Sequence, residues 1–167
     1  MHTHTPTITP FLWFDDQAEE AARFYTSIFG DSAITAVTRY GSEAAAVSGR
    51  PEGTAMTVAF RIAGTEFTAL NGGPQFTFTE AISFVVTCES QDEVDYYWEK
   101  LSAGGDEAAQ QCGWLKDRFG VSWQIVPAAL AELLSDPDPE RSRRATSAML
   151  QMKKLDIEAL TRAADGR

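Results

Sequence analysis

The sequence predicts an α+β fold built of two βαβββ modules with C-terminal helices. Module one spans about residues 8–73 and module two about 80–127. A helical extension follows over 128–164, and the whole chain, 1–167, reads as a single domain. Three observations predict this. A strand followed by a capped helix occurs twice. Each pair is followed by a hairpin with a glycine in its turn. After Pro127 strand alternation gives way to helical spacing.

The elements follow in order. Ile8 to Phe14 is an apolar strand. Asp16 and Glu19 have capping-box spacing, and Ala18, Ala21, Ala22, Tyr25, Ile28 and Phe29 recur with helical period, so a helix is expected over 16–29, ending at Gly30. Ala33 to Tyr40 leaves room for a strand, and Gly41 to Gly53 reads as a loop. Ala55–Ile62 and Thr65–Leu70 form a hairpin about Ala63-Gly64. In the second module Ala81–Thr87 is a strand. Ser90 and Glu93 repeat the box, and Val94, Tyr97, Trp98 and Leu101 mark a helix over 91–103. Few residues lie between Gly105 and Cys112, so the matching strand is brief or missing. The last hairpin turns at Asp117–Gly120 and ends in Val121–Val126. Helices are then expected over 128–134, 140–154 and 156–164, broken by Pro137 and Pro139.

Composition bounds the function. Of the 167 residues, 44% are hydrophobic and 23% charged, as in a soluble globular chain. Twenty-four acids against 14 bases leave a net charge of −10, which repels phosphate backbones and argues against a nucleic-acid partner. No apolar run approaches the roughly 20 residues of a membrane span. Met1 to Pro6 lacks a secretion signal, so a cytoplasmic location is expected. Cys88 and Cys112 are expected to be free thiols. No nucleophile–base pair can be built, and catalytic residues remain unassigned. Acid–base work would fall to Asp15, Asp16, Glu66 or Asp117. Asp15 and Asp16 read more simply as caps, and Lys116-Asp117-Arg118 as an exposed turn.

The phrases "ITPFLWFDDQAEEAARFY", "EFTALNGGPQF", "AISFVV", "CGWLKDRFGVSWQIVP" and "LLSDPDPE" resemble the PhnB-like branch of the vicinal-oxygen-chelate superfamily. That superfamily holds glyoxalases, extradiol dioxygenases and antibiotic-resistance proteins. The resemblance covers about residues 7 to 160. It implies the glyoxalase-like fold, a homodimer and a ligand cleft. Branch members often carry the label 3-demethylubiquinone-9 3-methyltransferase. An adenosyl cofactor normally lies on a glycine-rich strand-to-helix turn. Here Asn71-Gly72-Gly73 is followed by Pro74 and no helix, so a tight connection is the simpler reading. In metal-using relatives four ligands come from the first and last strands of each module. Pro10, Thr68, Ala81 and Gln124 align there, a set poor in donors. His2 and His4 are the only histidines; Glu66 and Asp117 are the carboxylates to check.

The expected site is therefore an aromatic-walled cleft without metal or cofactor. Its candidate ligand-binding residues are Trp13, Phe60, Thr68, Asn71, Phe84, Trp114, Trp123 and Gln124. Gln124 is expected to bond a ligand or another side chain, Asn71 for instance. The favoured reading is a protein that binds a small aromatic or apolar molecule. The alternatives are a metal-assisted lyase, isomerase or dioxygenase, the labelled methyltransferase, and an interaction module.

Overall fold

A computed structural model of the chain describes residues 8–167. His2 and His4 lie outside the described residues. The chain forms two compact units, Met1–Thr77 and Phe78–Arg167.

The first unit runs β1 (Phe11–Phe14), α1 (Ala18–Ile28), β2 (Ala33–Arg39), α2 (Ser42–Ser48), β3 (Ala55–Ile62) and β4 (Thr65–Asn71). Its sheet has the order β1-β4-β3-β2. β1 pairs parallel to β4, and the other pairs are antiparallel. The hairpin turns on Ala63 and Gly64, both at positive φ, as a two-residue turn with this twist requires. α1 packs against β3 and β4. Its alanines let Tyr25 lie over Phe60, which in turn stacks on Phe67.

Two expectations change here. α1 begins after Gln17, whose side chain makes no cap bond, so Asp16 and Glu19 do not form the box. Asn71 does the capping from 53 residues away: its Oδ1 accepts from Ala18 N at 2.8 Å. The stretch expected as loop contains α2. Alanines at 44–46 favour helix there, and Gly49 closes it at φ 72°.

The second unit runs β5 (Phe84–Cys88), α3 (Gln91–Ser102), a 3₁₀ turn (Glu107–Ala109), β6 (Trp114–Lys116), β7 (Ser122–Pro127), α4 (Ala128–Leu134), α5 (Pro139–Met149) and α6 (Ile157–Asp165). The sheet order is β5-β7-β6, with β5 parallel to β7. Each unit therefore has its own mixed sheet, with one parallel pair in each. The Ser90 cap forms as the sequence predicts: Ser90 Oγ accepts from Glu93 N at 3.3 Å, and Glu93 reaches back to Glu89 N.

The strand missing from the second unit has a substitute. α5 ends at Met149, not Lys154, because the next residues turn back toward β6. Cys112 N donates to Met152 O and Gly113 N to Lys153 O, both at 2.8 Å. Gln91 fixes the same segment, donating to Leu155 O and accepting from Ile157 N. Leu130, Leu155 and Leu160 form a separate small core with Val126, Met149 and Met152 packed on it. Arg141 joins Asp136 to Asp165 and so ties the start of α5 to the end of α6.

Candidate functional site

Strand parity decides which candidate residues share a surface, since alternate side chains point to opposite faces. In the first unit the ladder sets Phe11, Thr68, Ala59 and Ala36 in one row across the sheet. Trp13, Leu70, Thr57 and Thr38 form the next row. Both rows face away from α1, so Trp13 and Thr68 lie on the open face. Phe60 and Asn71 have the other parity. Phe60 is wholly buried under α1 and forms part of the packed core. Asn71 is spent on structure: besides capping α1, its Nδ2 donates to Ala55 O at 3.1 Å.

Trp13 is held in place as well. Its indole donates to Gly73 O at 2.9 Å, and its ring meets Phe76 edge-on at 4.9 Å. The ring lies so close over Gly72 that an added Cβ would sit 2.3 Å away. Gly72 N and Gly73 N donate to Phe14 O and Asp15 O. The glycine stretch is thus a tight connection whose amides are already used.

In the second unit Trp114 is directly opposite Gln124, and Gln124 is opposite Val85. These three share the face away from α3. Phe84 and Trp123 share the other face, with ring centroids 5.4 Å apart. Trp123 is buried, and its indole donates to Asp117 Oδ2 at 2.9 Å. The eight candidates therefore do not form one wall. Trp13 and Thr68 share an open face in one unit, and Trp114 and Gln124 share one in the other.

The Gln124 amide finds its partner within its own unit. Its Nε2 donates to Ser83 Oγ at 2.8 Å, a residue one step outside β5. Its Oε1 accepts from no described residue, and the Trp114 indole N–H has no acceptor among them. A donor and an acceptor thus stand side by side on one face. Beside Trp114 lies a cleft of about 410 Å³, lined also by Glu80, Ala109, Gln111 and Cys112. Lys116 bonds Glu80 at 2.6 Å and holds that carboxyl below the usual range. Cys112 adopts a positive φ of 52°, rare for a residue with a Cβ.

Asp117 is the residue that sequence reasoning misread. It is 2% exposed, not an exposed turn residue. Its Oδ1 accepts from Phe119 N and Val121 N, so it organises the hairpin from inside. The only sequence signal was an acid four residues before a strand carrying Trp123.

The positions aligned with metal ligands do not fit a divalent ion. Pro10 precedes β1 and gives its carbonyl to Thr68 N; Ala81 precedes β5. Thr68 and Gln124 are neutral, and the Gln124 amide is held by Ser83. Among the described residues no three of His, Cys, Asp and Glu gather into a group that could hold a metal. Nor do the residues fit an adenosyl cofactor at the glycines, since those amides are taken.

The architecture, a strand–helix unit followed by a hairpin and repeated once, is that of vicinal-oxygen-chelate proteins. A Listeria monocytogenes fosfomycin resistance protein, FosX, complexed with Mn(II) and sulfate, shares the fold. It is 17% identical with TM-score 0.52 over 79% of this chain and 97% of that one. A Pseudomonas aeruginosa protein is 21% identical with TM-score 0.58, covering 74% and 98%. A Bacillus cereus PhnB protein, described as a 3-demethylubiquinone-9 3-methyltransferase, is 38% identical with TM-score 0.63, covering 74% and 100%. The family model described as 3-demethylubiquinone-9 3-methyltransferase matches residues 6–126. No curated protein matches the chain. This chain belongs to that PhnB-like family of the vicinal-oxygen-chelate superfamily.

Proposed function

We propose that the chain is a PhnB-like binding protein that takes a small aromatic or apolar molecule without a metal. The observation that carries this is the Trp114–Gln124 pair on the open face of the second unit, of which Trp114 lines a cleft of about 410 Å³. Trp114 offers an apolar plane and an N–H, Gln124 a carbonyl oxygen. Such a pair holds a flat ligand with one polar edge. Trp13 and Thr68 give the first unit a similar open surface. Phe84 stands behind the site, on the α3 side.

The two units and the helices act as one glyoxalase-like domain over 1–167, working as a homodimer in the cytoplasm without nucleic acid. Among the described residues no helix is long and apolar enough to cross a membrane. The methyltransferase reading rests on the family description and finds no support in the glycine stretch.

A thermal-shift screen of tag-free protein with quinones, aromatic metabolites and adenosylmethionine tests the proposal. An aromatic ligand should raise Tm, and Gln124→Leu should weaken its binding by about 1–3 kcal/mol. Stabilisation by adenosylmethionine alone, or a stoichiometric divalent metal in the purified protein, would refute it. Light scattering should give about twice the 18.3 kDa chain mass.

A further inference from the structure

We propose that the first unit carries a second site, which takes a zwitterion of amino-acid size, its anionic group at Arg39 and Arg50 and its ammonium group at Asp16 and Glu19. This goes beyond the open-face reading and does not depend on it.

The site is a cleft of about 520 Å³ where the end of β2, the 50–55 segment, the start of α1 and the end of β4 meet. That volume suits a small organic molecule rather than a bare ion. Its floor is fixed. Asn71 bonds Ala18 and Ala55 through its amide, and its carbonyl accepts from the Tyr40 hydroxyl at 2.5 Å. Its wall is fixed too. Tyr40 N donates to Thr54 O and Gly53 N to Tyr40 O, which ties the 50–55 segment to the end of β2.

The charges around it are balanced in number and incompletely paired. Arg50 donates through one nitrogen to the carbonyl and carboxylate of Asp15, so its remaining N–H groups are available. Arg39 donates to Gly53 O at 3.3 Å, and no described carboxylate pairs with it. Glu19 is bonded to Arg23 at 2.7 Å, while Asp16 pairs with no described cation. An unpaired guanidinium and an unpaired carboxylate thus line one cleft without bridging each other. A simple anion entering it meets two carboxylates, and a simple cation meets two guanidinium groups. A ligand carrying both charges satisfies both ends. The chain's net charge of −10 further disfavours a plain anion.

The test is an NMR titration of the full chain, amide by amide, with each of the twenty standard amino acids. The best binder is then compared with its N-acetyl and methyl-ester forms. At least one amino acid should give saturable shifts at the amides near Asp16, Arg39, Arg50 and Thr54. Each blocked form should bind roughly ten-fold more weakly or worse, as the loss of one charge-assisted bond implies. Asp16→Asn and Arg39→Gln should do the same; both side chains are exposed, and their shift maps report folding directly. Gln124→Leu should leave this binding unchanged. The proposal fails if no amino acid gives saturable shifts at about 10 mM, well beyond a millimolar affinity. It also fails if the blocked forms bind equally, or if the shifts gather elsewhere.

Discussion

Removing the Asp117 carboxylate should unfold the second hairpin from within. Oδ1 accepts from Phe119 N at 2.9 Å and Val121 N at 3.0 Å; Oδ2 accepts from the Trp123 indole at 2.9 Å. Val121 and Trp123 are each 3% exposed, so two of the three donors have no water to turn to. A buried donor left unmatched costs about 1–3 kcal/mol. Asp117→Ala should therefore cost roughly 3–6 kcal/mol, a large share of a typical domain's 5–15 kcal/mol. Asp117→Asn keeps an oxygen for the two amides but sets an NH₂ against the indole N–H. Its cost should be about 1–3 kcal/mol.

Urea unfolding followed by far-ultraviolet circular dichroism measures both losses, with the slope checked for constancy. Trp123→Phe removes the opposing donor, so Asp117→Asn should cost less in that background; a double-mutant cycle reads the coupling. An Asp117→Ala chain within about 0.5 kcal/mol of the parent would refute the reasoning, because surface substitutions behave that way. So would a cycle without coupling. A functional arm follows from register. Asp117 holds the turn that sets Trp114 opposite Gln124. A slip of one residue would send Gln124 to the α3 face, so binding at the proposed site should fall along with stability.

Gly105→Ala should cost about 3 kcal/mol or more, because the new Cβ would sit 2.0 Å from Lys116 O, a backbone atom; urea melts check it. The Cys88 thiol is pushed up to about 11, chiefly by burial and then by Glu93 and Glu89. A thiol whose folded value is raised favours the folded state at lower pH, so stability should fall between about pH 9 and 11 by roughly 2–3 kcal/mol, and Cys88→Ala should flatten that fall in melts across the range. At pH 8 a thiol reagent should label half-buried Cys112 and leave fully buried Cys88 unreacted in the folded chain. A chain ended after Pro127 should show a lowered and broadened thermal transition by calorimetry, since Cys112 N and Gly113 N lose their acceptors.

What the sequence made legible was local. The Ser90 box and the Ala63-Gly64 turn depend on residues within four positions of each other, and both formed where the pattern placed them. The cap of α1 was not legible, because the residue that supplies it, Asn71, lies on another strand. Asp117 was misread for a related reason. Flanked by Lys116 and Arg118, it looks like a solvated turn until the Trp123 indole is known to point back at it. Parity along a single strand separated Gln124 from Trp123 correctly. Grouping the eight candidates needed register between strands as well, and only the ladder shows that Phe60, Phe84 and Trp123 face the helices.

The family match ends at residue 126, so α4 to α6 lie outside it. They are nonetheless bound into the second sheet. The 152–153 carbonyls hold the amides of Cys112 and Gly113, and Gly113 O in turn accepts from Ile125 N at 2.8 Å. Leu155 presses against Gly113, where an added Cβ would meet it at 3.0 Å. The chain of contacts ends one residue from Gln124 and one from Trp114. Where the first unit uses β2 to complete its sheet, the second uses a segment the family pattern does not contain. Substitutions at Met152 to Leu155 should therefore alter binding at the proposed Trp114 site, read by the same thermal-shift titration, through the position of Gly113.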